Sequence, residues 1–301
     1  MNLLITGAWQ NAREYFSQIE EMGNRIQFLQ YENEELPCAY EWVEGVVCNG
    51  LFMHHPIEKF SRLKYIQLTS VGYDRAPIEY VKKHEIKINN AKGVYSIPMA
   101  EWVVMSILAI YKNTYDFFRK QQHKSWKKDR TLLELTNKKV CIVGYGSVGQ
   151  EISKRLAGFG TEITTVNRSK VDDVLTHKWV PLEQIDQALS EADIVILCVA
   201  LTQDTKGLFN NDRFTKMKED SVLVNVSRGA VIDEKALVLH LKKGKFRSVA
   251  LDVFEEEPLS ENSELWDNPR VLITPHNSYV GDKVEERMFQ VIYDNLQSMK
   301  G

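Results

Sequence analysis

One run constrains this chain more than any other. Val140-Cys-Ile-Val-Gly144-Tyr-Gly146-Ser-Val-Gly149 is a short apolar strand that enters a GxGxxG turn and continues into a helix-compatible stretch, Gln150–Gly158. Glycine triplets arise often by chance, but the strand before and the helix after supply the context that gives this one meaning. Gly144 is expected to permit the tight turn, Gly146 a close approach of backbone to a ligand, and Gly149 close packing of helix on strand. Ser147 and Val148 open the helix, whose free N–H groups and positive dipole end suit a phosphate. The bland alternative is a glycine-rich turn that binds nothing.

The βα rhythm extends in both directions. Upstream, Leu3–Ile5, Val46–Cys48, Tyr65–Leu68 and Ile86–Asn89 read as buried strands, with helical spacing over Arg13–Met22 and Ile78–His84. A long helix is expected from Met99 to Phe118, with Ala100, Val103, Val104, Ile107, Leu108 and Tyr111 on one face. Downstream, Lys139–Val143, Glu162–Val166, Ile194–Val199, Ser221–Val226, Ser248–Asp252 and Arg270–Thr274 are apolar and mostly β-branched. Short apolar strands separated by helices imply an α/β chain with doubly wound parallel sheets, and ligands at the carboxyl ends of the strands. With 301 residues the chain fits two domains.

Composition excludes several classes. A net charge of -3 does not support a broad nucleic-acid surface. The most apolar long segment, Trp102–Tyr111, is about half of what a bilayer span requires. The opening MNLLITGAWQ does not read as a signal peptide, and Cys38, Cys48, Cys141 and Cys198 show no ligand spacing. These features point to a cytoplasmic protein without membrane or nucleic-acid partners.

Past the second strand of the glycine-loop series stands Val166-Asn167-Arg168-Ser169-Lys170. An NAD site places Asp or Glu there, about 20 residues past the glycines, for the ribose hydroxyl. An uncharged Asn167 followed by Arg168 and Ser169 suits a 2′-phosphate, so NADP is preferred over NAD. Asp172 and Asp173 nearby weaken the positive field.

Three further strand ends carry chemistry. Arg228 follows Val222–Val226, a Glu255-Glu256-Glu257 run follows Ala250–Asp252, and His276 follows Leu272–Thr274. A guanidinium fork can hold a carboxylate and its neighbouring carbonyl. An imidazole can deliver a proton near neutrality, and a carboxylate can orient that imidazole. Each residue alone is more often structural; their order after successive strands of one sheet, downstream of the glycine loop, points to a shared site.

These stretches resemble the D-isomer-specific 2-hydroxy acid dehydrogenases: GYGSVG, ADIVILCVALTQDTKGLF, VNVSRGAVIDEKAL, ALDVFEEEPL and ITPHNS, with LKYIQLTSVGYDRAP and PMAEWVVMSIL further upstream. The resemblance implies hydride exchange between NAD(P)H and a small 2-oxo acid, with His276 as acid/base, Glu257 (the Glu before proline) as its partner, and Arg228 on the substrate. It implies substrate-binding N–H groups at Ser70, Val71 and Gly72. It also places cofactor contacts at Val199, Ala200, Thr205, Val226 and Ser227, with Asp252 holding the carboxamide. It further implies a Rossmann nucleotide-binding domain, residues 99–281, inserted in a flavodoxin-like substrate domain of residues 1–98 and 282–301, and a homodimer. Cys141, Ala200 and Asn167 depart from the family pattern. The alternatives are a dinucleotide-sensing, corepressor-like protein and an NAD-linked phosphoglycerate-type dehydrogenase.

Overall fold

Each apolar run named above becomes a parallel strand, and two runs that lacked the signal become strands as well. The computed structural model describes residues 1–299 and divides into one unit of Met1–Tyr95 with the chain from Gly281 onward, and another of Ser96–Val280. The last two positions of the 282–301 segment lie outside the described residues.

The first unit holds β1 (Asn2–Thr6), α1 (Phe16–Glu21), β2 (Arg25–Leu29), β3 (Gly45–Cys48), β4 (Tyr65–Leu68), α2 (Ile78–Lys83) and β5 (Lys87–Asn89). Its sheet runs β2-β1-β3-β4-β5, with parallel pairings, which is the flavodoxin-like order. The second unit begins with α3 (Ser96–Tyr111) and α4 (Thr114–Gln122), then β6 (Lys139–Val143), α5 (Ser147–Ala157), β7 (Glu162–Val166), β8 (Lys178–Val180), α6 (Ile185–Glu191) and β9 (Ile194–Leu197). There follow α7 (Asn211–Lys216), β10 (Ser221–Asn225), α8 (Glu234–Lys242), β11 (Phe246–Leu251) and β12 (Val271–Ile273); α9 (Val284–Gln297) returns to the first unit. Its sheet order, β12-β11-β10-β9-β6-β7-β8, is that of a doubly wound Rossmann fold with the reversal between β6 and β9.

Strand alternation divides the larger core into two layers. Val140 and Ile142 of β6 pack with Ala100, Val103, Ile107, Ile152 and Leu156 from α3 and α5. Cys141 and Val143, one residue out of phase, pack with Ile185, Phe214 and Leu237 from α6, α7 and α8. In the smaller unit Leu3 and Ile5 meet Val284, Met288, Ile292 and Leu296, so α9 completes that core.

β2 and β8 lie at sheet edges, where one flank is open and a continuous apolar run is not required. The helix expected over Met99–Phe118 is two helices. Asn113 sits between them with φ 49°, a left-handed conformation that Asn tolerates, and its side-chain amide donates to Asp129 Oδ2 at 2.8 Å.

Candidate active site

The site is built from the carboxyl ends of six strands of the larger unit. At the end of β6, Gly144 takes φ +100°, and a Cβ there would fall 2.8 Å from the Cys198 carbonyl oxygen. A Cβ on Gly149 would fall 2.4 Å from the Gly144 oxygen, so the first turn of α5 lies against the strand end only because that residue has no side chain. Gly146 differs from both: nothing lies within 4 Å of its Cβ position. The protein does not need a glycine there for its own packing. The open space lies at the cap of an eleven-residue helix, where N–H groups face outward, and a dinucleotide pyrophosphate fits that cradle.

At the end of β7, the Asn167 Oδ1 accepts from the Tyr145 N–H at 3.4 Å, and its amide donates to the Ser169 oxygen at 3.0 Å. Arg168 reaches across to Thr202 Oγ1 at 3.2 Å and Asp204 Oδ2 at 2.8 Å. Thr205 is buried, and its hydroxyl donates to the Ala200 oxygen at 2.7 Å while accepting from the Thr202 N–H at 2.7 Å. It therefore shapes the loop that continues from Val199 and Ala200.

β10, β11 and β12 are neighbours in the sheet, so their ends line one edge. Asn225, the last residue of β10, accepts from the Ser227 N–H and hydroxyl at 3.0 and 2.6 Å and donates to the Arg228 oxygen at 3.2 Å. That turn contains Val226 and presents Arg228, one of whose guanidinium N–H groups donates to the Ser227 oxygen at 2.8 Å. Asp252, past β11, is fully buried. Its carboxylate accepts from Thr274 Oγ1 at 2.5 Å, from the Asn277 N–H at 2.8 Å and from the Ser278 N–H at 2.9 Å. The carboxylate expected to hold a carboxamide thus anchors the loop that carries His276.

His276 follows β12 with φ +50°, a backbone strain that the Asp252 anchor, including a 2.8 Å bond from the His276 N–H to the Asp252 oxygen, holds in place. Its Nδ1 stands 2.8 Å from Glu257 Oε2, and Glu257 Oε1 accepts from the Phe254 N–H at 3.1 Å. Glu255 and Glu256 do not make this contact: of the three candidates the structure brings Glu257 to the imidazole. The Nδ1 proton is assigned from its carboxylate partner, which leaves Nε2 to face a reactant. Tyr279 stands edge-on to the ring, centroids 6.0 Å apart. Ser70, Val71 and Gly72 belong to the other unit, where they follow β4, with the Ser70 hydroxyl donating to the Gly72 oxygen at 2.9 Å.

Reading from sequence missed Asn225 and the anchoring part of Asp252. The one signal for Asn225 was a polar residue closing an otherwise apolar strand.

Residues 104–278 match the NAD-binding domain of the D-isomer specific 2-hydroxyacid dehydrogenases. This chain belongs to that family. Glyoxylate reductase from Pyrococcus furiosus is 33% identical over 254 residues, covering 81% of this chain and 74% of the relative. Among solved structures, a glyoxylate reductase from Paecilomyes thermophila superposes with a TM-score of 0.85 at 27% identity, covering 99% of this chain and 94% of the other. D-Lactate dehydrogenase from Aquifex aeolicus, complexed with NAD and lactic acid, gives 0.81 at 25%, covering 99% and 95%. The 2-hydroxyacid dehydrogenase family membership makes the chain a nicotinamide-dependent oxidoreductase of 2-oxo and 2-hydroxy acids, and favours the enzyme over the dinucleotide-sensing alternative. Among the described residues no helix is long and apolar enough to cross a membrane.

Proposed function

We propose that this dehydrogenase reduces a small 2-oxo acid, glyoxylate or hydroxypyruvate first among candidates, with NADPH as the preferred donor and His276 as the proton source. The observation that carries the reading is the His276–Glu257 contact at 2.8 Å, on the same sheet edge as Arg228 and on the same sheet as the open glycine cradle. The nicotinamide cofactor, when bound, supplies the hydride. Gly144, Gly146, Ser147, Val148 and Gly149 would hold its pyrophosphate, and Asn167, Arg168 and Ser169 its ribose end.

The chain's own residues do the rest. Arg228 would bind the substrate carboxylate and polarise the carbonyl through directional N–H bonds. Charge developing on the carbonyl oxygen takes a proton from His276 Nε2, while Glu257 at Nδ1 keeps the ring in one tautomer and offsets the charge it carries. In the smaller unit, the Ser70–Gly72 turn would offer N–H groups to a carboxylate. NADPH is preferred because Asn167 offers no acid to a ribose diol and because Arg168 and Ser169 directly follow it.

A homodimer fits the outer face of the larger unit. There α3, α4 and α5 leave an apolar groove of about 690 Å³ lined by Val104, Met105, Leu108, Phe118 and Phe159. All four cysteines are free, in keeping with a reducing, cytoplasmic setting.

Consumption of NADPH and of NADH, measured separately with glyoxylate, hydroxypyruvate, pyruvate and bulkier 2-oxo acids, tests the substrate and cofactor together. Turnover of glyoxylate or hydroxypyruvate with NADPH in preference to NADH is expected. A clear preference for a branched or aromatic acid overturns the substrate reading, and a preference for NADH overturns the cofactor reading.

A further inference from the structure

We propose that Glu234 is a positioning residue for the reaction: through a reciprocal pair of hydrogen bonds with Glu255 it fixes the turn from which Glu257 reaches His276. The inference rests on the His276–Glu257 reading above. It arises from a contact that the reading leaves unexplained.

Two segments of the larger unit lie side by side, the one running from Arg228 into α8 and the one running from β11 to Glu257. Two close contacts join them. The first is Gly229, where a Cβ would fall 1.8 Å from the Phe254 carbonyl carbon and 2.2 Å from the Glu255 nitrogen, so backbone lies directly on backbone. The second is a clasp. The Glu255 N–H donates to Glu234 Oε1 at 2.5 Å, and the Glu234 N–H donates to Glu255 Oε1 at 3.3 Å. From these contacts two further bonds lead to the imidazole, one from the Phe254 N–H to Glu257 Oε1 and one joining Glu257 Oε2 to His276 Nδ1. Two consecutive N–H groups of the turn are therefore taken by two carboxylates: Phe254 by the Glu257 that meets His276, Glu255 by Glu234.

The ordinary explanation of such a run of acids is a solvated loop. Glu234 does not fit it. Burial raises its carboxyl above the usual range, and the Glu255 and Glu257 carboxylates add to that rise. Crowding three acids costs electrostatic energy, and charge-assisted N–H bonds offset it only in a defined geometry. Nor is the clasp simply the cap of α8. Asp233 already caps that helix, its side chain accepting from the Ala236 N–H at 3.0 Å.

The test uses the full chain labelled with 15N-histidine, with the His276 signal assigned by its loss in H276Q and the neutral ring observed by its tautomer-dependent nitrogen shifts. Wild type is expected to hold the proton on Nδ1, and E257Q is expected to lose that preference. E234A is expected to lose it as well, and to lower kcat for glyoxylate with NADPH by about tenfold to a hundredfold at unchanged NADPH dissociation constant. E234Q, whose amide oxygen still accepts from the Glu255 N–H, recovers most of both. D233A, which removes only the helix cap, keeps the wild-type tautomer. A wild-type tautomer in E234A, with E257Q altered, overturns the role of Glu234 and leaves the dyad standing. Equal losses in E234A and D233A overturn it too, by reducing the effect to helix stability. No change in E257Q overturns the dyad itself.

Discussion

His276 Nδ1 lies 2.8 Å from Glu257 Oε2, joining the end of β12 to the turn after β11 across 19 positions of sequence. The ring side chain is 39% exposed and that of Glu257 37%, so the pair is fixed on one side and open on the other. His276→Ala removes the proton donor and is expected to lower kcat by about a hundredfold to ten-thousandfold, with NADPH binding little changed. Glu257→Gln should cost less, since the donor remains and only its orientation suffers. Steady-state turnover combined with a cofactor titration by fluorescence checks both. A fully active His276→Ala would remove the central assignment.

The three glycines of the loop should separate cleanly on substitution. Gly146→Val puts a side chain where the protein itself has nothing within 4 Å, so melting temperature should hold while cofactor affinity falls by about tenfold or more. Gly149→Ala puts a methyl 2.4 Å from a backbone oxygen and should destabilise the unit by about 1–3 kcal/mol. Thermal melts with and without NADPH distinguish the two. Equal stability losses at both positions would mean that the open space at Gly146 is not a ligand's.

How much of this was legible beforehand follows from where each partner lies. The inner strands were legible because a strand covered on both faces must be apolar throughout; edge strands are free of that demand, and of these β2 (Arg25–Leu29) and β8 (Lys178–Val180) gave no run to see, whereas β5 and β12 still did. The split between α3 and α4 turns on one residue, Asn113, whose left-handed conformation nothing local announced. His276, Glu257 and Arg228 were visible because catalytic types at successive strand ends form a pattern in one dimension. The contacts that hold them were not. Asp252 finds Thr274, Asn277 and Ser278 some 22 to 26 positions away, and Glu234 finds Glu255 across 21. Such partners are set by which strands become neighbours, a property of the whole sheet.

Arg168 supplies the cofactor prediction. Its pairing with Asp204 is solvent-exposed on both sides, 55% and 70%, and such pairs are worth about 0–1 kcal/mol. A phosphate dianion can therefore recruit the guanidinium at little cost. Arg168→Ala should raise the NADPH dissociation constant by about tenfold and leave that for NADH nearly unchanged. Equal losses for the two cofactors would assign Arg168 to the loop rather than to a 2′-phosphate.

Glu285, in the first turn of α9, yields a prediction about pH. Burial raises its carboxyl above the usual value, and the Glu14 carboxylate adds to the rise. Trp9 Nε1 opposes it from nearby, although neither that nitrogen nor Glu285 Oε2 has a properly directed bond. A helix N-terminus favours negative charge, so the raised value means that burial and Glu14 outweigh the dipole. The sign then follows. Below the carboxyl's unfolded value both states are protonated and nothing is lost; as pH rises through that value toward the higher folded one, the unfolded chain releases its proton first and stability falls. Above the window the loss is constant. Glu285→Gln, neutral throughout, should therefore match wild type near pH 4 and exceed it near pH 7, by no more than about 1 kcal/mol for a half-buried group. Melts of both proteins across that range decide it. A mutant less stable than wild type at neutral pH would show that the dipole, not burial, governs this helix end.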